Sequence, residues 1–441
     1  MLKRKIESYM KSWKEQSDRN PLVIKGCRQC GKTFMALDFA RKHYTNVAYV
    51  NFMQDARYNI PFKESLQIDD IIAKLSTLIR DCRFEPYNTC IIFDEIQECM
   101  EARASLKFFK MDGRYDVIAT GSLLGVKGYR NQDAPLASIP VGYETIVTMY
   151  PLDFEEFLWA NGISKKTITL LKEHLQDETP IPESYHQTFR DLLLKYVVVG
   201  GMPAVVNTFI STHDMGNVLE LQRRIVDEYE DDMIKYAPKA FQSRIRECFE
   251  SIPAQLSKEN KKFQYSIIKK GAKASHYAGS LQWIEDAGII CRCKNLSIPE
   301  LPLNGNAVND SYKIYMCDTG LFVSMLDEGT QFDVLNGNLY GYKGAIFENL
   351  VADIFNKMGR KLYYYHKDSG LEVDFVIRRH GNATLIEVKS TSGNVKSTKT
   401  ILNHPEKYHV YHAIKLGDYN IGRNDKVLTL PIYMAFLLNE V

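Results

Sequence analysis

The sequence predicts an α/β architecture, with a parallel sheet flanked by helices at the N-terminal end, a mainly helical middle and a smaller α/β unit at the C-terminal end. Three observations predict it. An apolar run, Pro21-Leu22-Val23-Ile24-Lys25, enters a glycine-bracketed turn that opens a helix. A second apolar run, Thr89-Cys90-Ile91-Ile92-Phe93, ends in two carboxylates, Asp94 and Glu95. Near the other end, Glu372–Arg378 and Thr384–Ser390 alternate polar and apolar residues, as half-buried strands do.

The first turn, Gly26-Cys27-Arg28-Gln29-Cys30-Gly31-Lys32-Thr33, fills every fixed position of the phosphate-binding pattern G-x-x-x-x-G-K-[ST]. Backbone N–H groups of such a loop curl around phosphates at a helix N-terminus, where the helix dipole favours an anion. Lys32 is expected to reach the β- and γ-phosphates and the Thr33 hydroxyl to ligate Mg²⁺. Phe34, Met35, Leu37, Phe39 and Ala40 supply the apolar positions of the helix. Parallel strands end on one edge, so the Asp94-Glu95 pair should reach the same crevice. There Asp94 would hold the Mg²⁺ shell through water and Glu95 would polarise the attacking water. That glutamate, and the lack of an Asn-Lys-x-Asp motif in this half, favour ATP over GTP.

Three further strands are predicted, Asn46–Phe52, Asp116–Thr120 and Thr145–Met149, with helical crossovers in Asp69–Cys82 and Ala102–Lys110. Thr120, in Thr120-Gly121-Ser122, either senses the γ-phosphate or belongs to a turn that caps the next helix. In the opening segment Leu2, Ile6, Tyr9, Met10 and Trp13 share a helical stripe, expected to dock on the sheet.

At 441 residues the chain should hold two or three domains. The expected division is 1–160 for the nucleotide-binding domain, 161–184 for a linker, 185–305 for the middle and 306–441 for the C-terminal domain. A net charge of +2 excludes a global field for nucleic acid, so any basic surface is local. No apolar run reaches the roughly 18 residues of a membrane span, and no secretory core follows Met1, so a cytoplasmic protein with no membrane partner is expected. The nine cysteines are scattered through or beside apolar strands, which suits reduced thiols. Cys27/Cys30 and Cys291/Cys293 lack the partners that would complete a zinc site. Cys30 is either a small residue filling the loop or a thiol whose oxidation blocks nucleotide binding.

Pro180 and Pro182 mark the linker. Ser266–Ala278 and Gly279–Ala287, with Gly288 as a stop and Ile289-Ile290 beyond, read as two helices running into a β-wing, the layout of a winged helix. Lys258, Lys261, Lys262, Lys269, Lys270 and Lys273 would form a nucleic-acid-binding face on it or simply a solvated one.

In the C-terminal part, Asp374 followed by Glu387-x-Lys389 has the D-(x)n-E-x-K layout of a metal-dependent nuclease, and Glu348 on the preceding helix offers a third carboxylate. Asp374 and Glu387 would hold Mg²⁺ while Lys389 positions the attacking water. Register separates two readings, and a bulge would bring Asp374, Glu387 and Lys389 together in either. A turn at His380-Gly381 sets Asp374 opposite Glu387, a like-charge pair that calls for a cation. A turn at Gly381-Asn382 sets Asp374 against Lys389, where a salt bridge suffices.

The strings Gly26–Thr33, Phe93–Gln97, Ala119–Ser122 and Met149–Phe157 resemble a large prokaryotic family of AAA-type P-loop ATPases. Its members carry a C-terminal domain of unknown function similar to restriction-endonuclease-like PD-(D/E)XK nucleases. The resemblance continues through Gly200–Pro203, Trp283–Gly288 and Glu387–Lys389, nearly the full length. It implies ATP and Mg²⁺ as cofactors and an ATPase coupled to a domain that binds or cleaves nucleic acid. The alternative is a nucleotide-controlled switch whose C-terminal part is a non-catalytic interaction module, serving recognition or homo-oligomer contacts. Many relatives have Gly-Arg where this chain has Gly142-Tyr143, which leaves the arginine partner of the γ-phosphate unassigned; Arg28, Arg57 and Arg130 are each either a candidate for it or an ordinary surface or loop residue.

Overall fold

The computed structural model describes residues 1–123, 140–237, 239–257, 262–338, 342–389 and 396–438. Its first sheet contains β1 (Leu22–Gly26), β2 (Asn46–Asn51), β3 (Thr89–Asp94), β4 (Asp116–Ser122) and β5 (Thr145–Met149), in the order β2-β3-β4-β1-β5, with every pair parallel. Helices Lys32–His43, Ile68–Leu78 and Met100–Asp112 make the crossovers between β1 and β4. Both faces of the sheet are covered, which is why its strands read as continuous apolar runs. Val23, Ile91 and Phe93 enter one core, while Leu22, Ile24, Cys90 and Ile92 enter the other. The second core also takes Ile6, Met10 and Trp13 of the Lys5–Glu15 helix, which docks as expected, although Tyr9 stays exposed.

The segment read as a linker is packed. Ser164 caps a helix, Lys165–Asp177, that buries Ile168 and Leu171. The middle continues with helices Glu183–Val199, Pro203–Thr212, Met215–Tyr236 and Lys239–Glu250. The expected helix break at Ala278-Gly279 is not there. Tyr265–Ile268 is a single turn, Gly271 reverses the chain in the left-handed region, and one helix runs Ala274–Asp286 through Gly279. A mid-helix glycine costs about 1 kcal/mol, which burial of Tyr277, Leu281 and Ile284 on the same helix outweighs. Gly288 does end that helix, at φ 75°.

Strands β6 (Ile290–Leu296) and β7 (Ala307–Met316) then pair antiparallel, so the expected division at 305/306 falls in their connection. They join β8 (Leu362–His366) and β9 (Glu372–Val373) in a four-stranded sheet, β7-β6-β8-β9. Beside it lies β10-β11-β12-β14-β13, built from β10 (Phe375–Arg379), β11 (Asn382–Lys389), β12 (His412–Gly417), β13 (Gly422–Asn424) and β14 (Val427–Pro431). Asp374 is the one residue between β9 and β10, where the chain leaves one sheet for the other. The helix Lys343–Lys357 is buried nearly all round, and one apolar core draws residues from Leu152 to Leu438, with a second around Tyr365, Leu385 and Ala413.

Two glycines allow the regions to close on each other. A Cβ on Gly201 would lie 2.0 Å from the Leu152 carbonyl oxygen, and one on Gly200 would lie 2.1 Å from Asp318 Oδ1. Around them, Lys357 Nζ donates to the Leu152 carbonyl (3.2 Å), the Tyr196 hydroxyl (3.0 Å) and Asp353, with Asp318 at 3.6 Å. Asp318 Oδ2 accepts from the Gly201 N–H at 2.7 Å. Burial pushes the Asp353 carboxyl up to about 7, Asp318 adds to the push, and Lys357 opposes it. Lys357→Met would leave Asp353 and Asp318 buried without their cation. The expected loss is about 3–5 kcal/mol, measured as a lowered unfolding midpoint in urea.

Candidate functional site

The phosphate loop curls because Gly31 (φ 95°) and Gln29 (φ 60°) occupy the left-handed region, and because Gly26 runs against β5, where a Cβ would lie 2.2 Å from the Met149 carbonyl oxygen. Cys30 is fully buried beneath it, with Sγ 3.4 Å from the same carbonyl and against Cys27. The Cys27 hydrogen bond, helped by Lys32 and Arg4, pulls the Cys30 thiol down to about 6, while Cys27 is pushed up. Its place is that of a small residue filling the loop, and an oxidant would have to open the loop to reach it.

Lys32 Nζ rests on the loop's own carbonyls, Cys27 at 2.8 Å and Gly26 at 3.3 Å. Asp94, at the end of β3, is the hub of the site. Its Oδ1 accepts from the hydroxyls of Thr33 (2.7 Å) and Thr120, and its Oδ2 from the Tyr49 hydroxyl (2.7 Å) and Asn51 Nδ2 (2.9 Å). Thr120 is thus turned to Asp94 at the end of β4. Glu95 follows in a left-handed backbone (φ 53°) that costs a non-glycine residue about 1 kcal/mol. That turn aims its carboxylate into the cleft, where Gln97 Nε2 holds it.

The cleft, ≈ 650 Å³, is lined on one side by Arg28, Gln29, Gly31, Lys32, Thr33 and Glu95, and on the other by Glu228, Tyr229, Asp231 and Asp232 of the Met215–Tyr236 helix. Of the candidate arginines, Arg28 lies in it, paired with Asp232. Arg57 is exposed and paired with Asp55, and Arg130 lies outside the described residues.

Arg4 fixes the loop from below and is a residue the sequence reading missed. It donates to the Cys30 carbonyl (3.0 Å), the Tyr150 carbonyl (2.6 Å) and Glu156 Oε2 (3.1 Å). Burial raises the Glu156 carboxyl, opposed by Arg4. Glu156 and Asp153 form a capping box on the helix Phe154–Ala160, so the Met149–Phe157 string is the seat of the loop.

The second group of predicted residues gathers where β9, β10 and β11 meet the Lys343–Lys357 helix. The hairpin turns at His380-Gly381, both in the left-handed region, with Arg379 paired to Asn382 and Phe375 to Ile386. Continued by one residue, that register sets Asp374 against Glu387. Asp374 leaves the ladder there, and its Oδ2 accepts from the Val388 N–H at 2.8 Å. Burial pushes the Asp374 carboxyl up to about 7, with Glu348 and Glu387 adding and Lys313 and Lys389 opposing.

Protein cations take up much of this acidity. Lys389 Nζ lies 2.8 Å from Glu387 Oε2, whose Oε1 accepts from Thr398 at 2.5 Å. Lys313, buried on β7, reaches Glu348 (3.2 Å) and Glu372 (3.0 Å), and the Tyr315 hydroxyl also donates to Glu348. Burial works against the Lys313 ammonium, but Glu348, Asp374 and Glu372 hold its pKa above the ordinary value. Among the described residues no three His, Cys, Asp or Glu side chains converge as a metal cage. Glu348, Asp374 and Glu387, the residues expected to hold a metal, share this neighbourhood, and two of them are already paired with lysines. The cysteine pairs likewise form no metal group, and all nine cysteines are free.

In the middle region Lys269, Lys270 and Lys273 are exposed, with Lys269 3.7 Å from Glu247, while Lys258 and Lys261 lie outside the described residues. No described helix is long and apolar enough to cross a membrane.

Comparison with known proteins finds three family matches along the chain. Residues 18–158 match an AAA domain, 190–331 a domain of unknown function (DUF8612) and 343–434 a second (DUF4143). No curated protein sequence matches. Among solved structures, the Walker-type ATPase of Pyrococcus abyssi is 14% identical with a TM-score of 0.41, over 74% of this chain and 96% of its own. The Holliday junction branch migration motor RuvB of Thermotoga maritima is 13% identical with a TM-score of 0.30, over 66% and 90%. AMPPCP-bound DnaA from Aquifex aeolicus is 12% identical with a TM-score of 0.29, over 64% and 86%. Likenesses at this level carry no functional inference. The phosphate loop, the five-stranded parallel sheet and the AAA match together make residues 18–158 an AAA-type P-loop ATPase domain.

Proposed function

We propose that this chain binds ATP with Mg²⁺, hydrolyses it, and couples nucleotide state to a nuclease-like C-terminal domain that binds or cleaves nucleic acid. The observation that carries the first part is Asp94, which accepts four hydrogen bonds at the mouth of the phosphate loop. Tyr49 and Asn51 fix one carboxylate oxygen, and the other faces the Thr33 hydroxyl. Thr33 and Asp94 are hard oxygen donors of the kind Mg²⁺ takes, and the ion would offset the charge on the phosphates. On binding, Lys32 Nζ exchanges the Gly26 and Cys27 carbonyls for phosphate oxygens. Glu95, aimed into the cleft and steadied by Gln97, orients the water and accepts its proton.

Coupling is supported by continuity. The Tyr229 hydroxyl of the middle region donates to the Arg28 carbonyl of the loop at 2.8 Å, and the Lys357 cluster ties the segment after β5 to the C-terminal helix. The like-charge register of Asp374 and Glu387, with Lys389 and Glu348 beside them, supports the nuclease-like reading. There Asp374 and Glu387 would hold Mg²⁺, with Glu348 as a further ligand, to stabilise charge on a phosphodiester. One observation favours the alternative, a domain that binds without cutting: Lys313 already supplies a buried cation to Glu348.

Two outcomes follow. Glu95→Gln should cut ATP turnover by about 10²–10⁴-fold with little change in nucleotide affinity, whereas Lys32→Ala should lose affinity. Phosphate release and nucleotide titration check both, and normal turnover in either variant would refute these roles. Mg²⁺-dependent cleavage of DNA or RNA, lost in Asp374→Ala, would support the nuclease reading. Its absence across several divalent ions, with ATP present, would favour the interaction module.

A further inference from the structure

The nucleotide cleft is oddly charged for its ligand. Arg28 and Lys32 line it against Glu95, Glu228, Asp231 and Asp232, so two cations face four carboxylates. Three of these carboxylates come from one 22-residue helix, Met215–Tyr236, rather than from the ATPase sheet. They do not merely lie nearby. Asp232 pairs with the Arg28 guanidinium, and Glu228 accepts from Gln29 Nε2. Between them the buried Tyr229 hydroxyl donates to the Arg28 carbonyl. Glu228 and Asp232 are one helical turn apart and so face the loop together. Two consecutive side chains of a phosphate-binding loop are thereby engaged by carboxylates, while Lys32 is folded onto loop carbonyls.

Resting on the ATP reading above, we propose that Glu228 and Asp232 are a built-in anionic plug that competes with the triphosphate for the phosphate loop. A triphosphate entering this cleft meets the field of three helix carboxylates, a repulsion that partial burial strengthens; Asp232 is 18% exposed. Binding releases Arg28 and Gln29 from the helix and frees the helix face. The same helix packs on the Thr319–Ser324 helix, next to Asp318 of the Lys357 cluster, and its Gln222 donates to the Val198 and Val199 carbonyls at 2.8 and 3.0 Å. Displacing the plug therefore loosens an element seated on the C-terminal half, which gives the nucleotide a mechanical output.

The test is titration of the full-length chain with Mg²⁺–ATP and Mg²⁺–ADP, comparing wild type with the double variant Glu228→Gln/Asp232→Asn at low and high salt. The amides keep the shape of the contact and remove its charge. The variant should bind about tenfold more tightly, with the gap narrowing as salt rises. Hydrogen exchange on the wild-type chain supplies a readout without mutation, since amides of residues 225–233 should exchange faster once Mg²⁺–ATP is added. Equal or weaker affinity in the variant, or unchanged exchange, overturns the plug. If neither chain binds nucleotide, the ATP reading itself falls, an outcome distinct from binding with unaltered affinity.

Discussion

Lys357 Nζ is almost completely buried, and its partners come from three parts of the chain: the Leu152 carbonyl just after the ATPase sheet, the Tyr196 hydroxyl in the middle helices, and Asp353 and Asp318 in the C-terminal half. A buried ammonium is tolerated only when it is paired and hydrogen-bonded on most sides. The arrangement therefore specifies one relative placement of three segments, since sliding any of them strips the cation of a partner. Gly200 and Gly201 make that placement sterically feasible, because their missing side chains let Leu152, Asp318 and Gly320 approach the backbone directly. The Gly200-Gly201-Met202-Pro203 string is thus an assembly feature rather than a ligand site.

Arg4 repeats the device at the other end of the ATPase domain. One guanidinium satisfies the Cys30 carbonyl under the phosphate loop, the Tyr150 carbonyl after β5 and the buried Glu156. Its planar fork suits three acceptors in fixed directions, which a lysine could not serve equally. The N-terminal helix is consequently part of the nucleotide site's foundation, and the loop is held from beneath by Arg4 as well as from above by the Met215–Tyr236 helix.

The ATPase half was legible because its signals are short-range. Gly26–Thr33 and the run ending at Asp94 each fit in eight residues or fewer, and strands buried on both faces announce themselves by apolar continuity. What stayed hidden was long-range. Arg4 and Glu156 are 152 positions apart, Gln29 and Glu228 199, and nothing in either neighbourhood marks the pairing. Glu228 and Asp232 sit in a helix rich in charged residues, where a solvated face is the ordinary reading. Lys313 is one polar residue in an otherwise unremarked strand. The helix break placed at Gly279 failed because glycine's penalty is smaller than the burial on either side of it.

The C-terminal carboxylates show why a motif and a site are different things. Hairpin register was the open variable, and the left-handed His380-Gly381 turn resolves it in favour of the like-charge arrangement. Such an arrangement needs a cation, and the chain supplies two, Lys389 against Glu387 and Lys313 against Glu348 and Glu372. Asp374 takes a backbone N–H instead and keeps a raised pKa. Any ion entering here competes with Lys313 for Glu348, just as any triphosphate entering the other cleft competes with Glu228 and Asp232 for the loop. In both places the protein already provides charge of the sign that a ligand would bring, so occupancy entails a rearrangement of side chains, and that exchange is a physical basis on which one site can report its state to the rest of the fold.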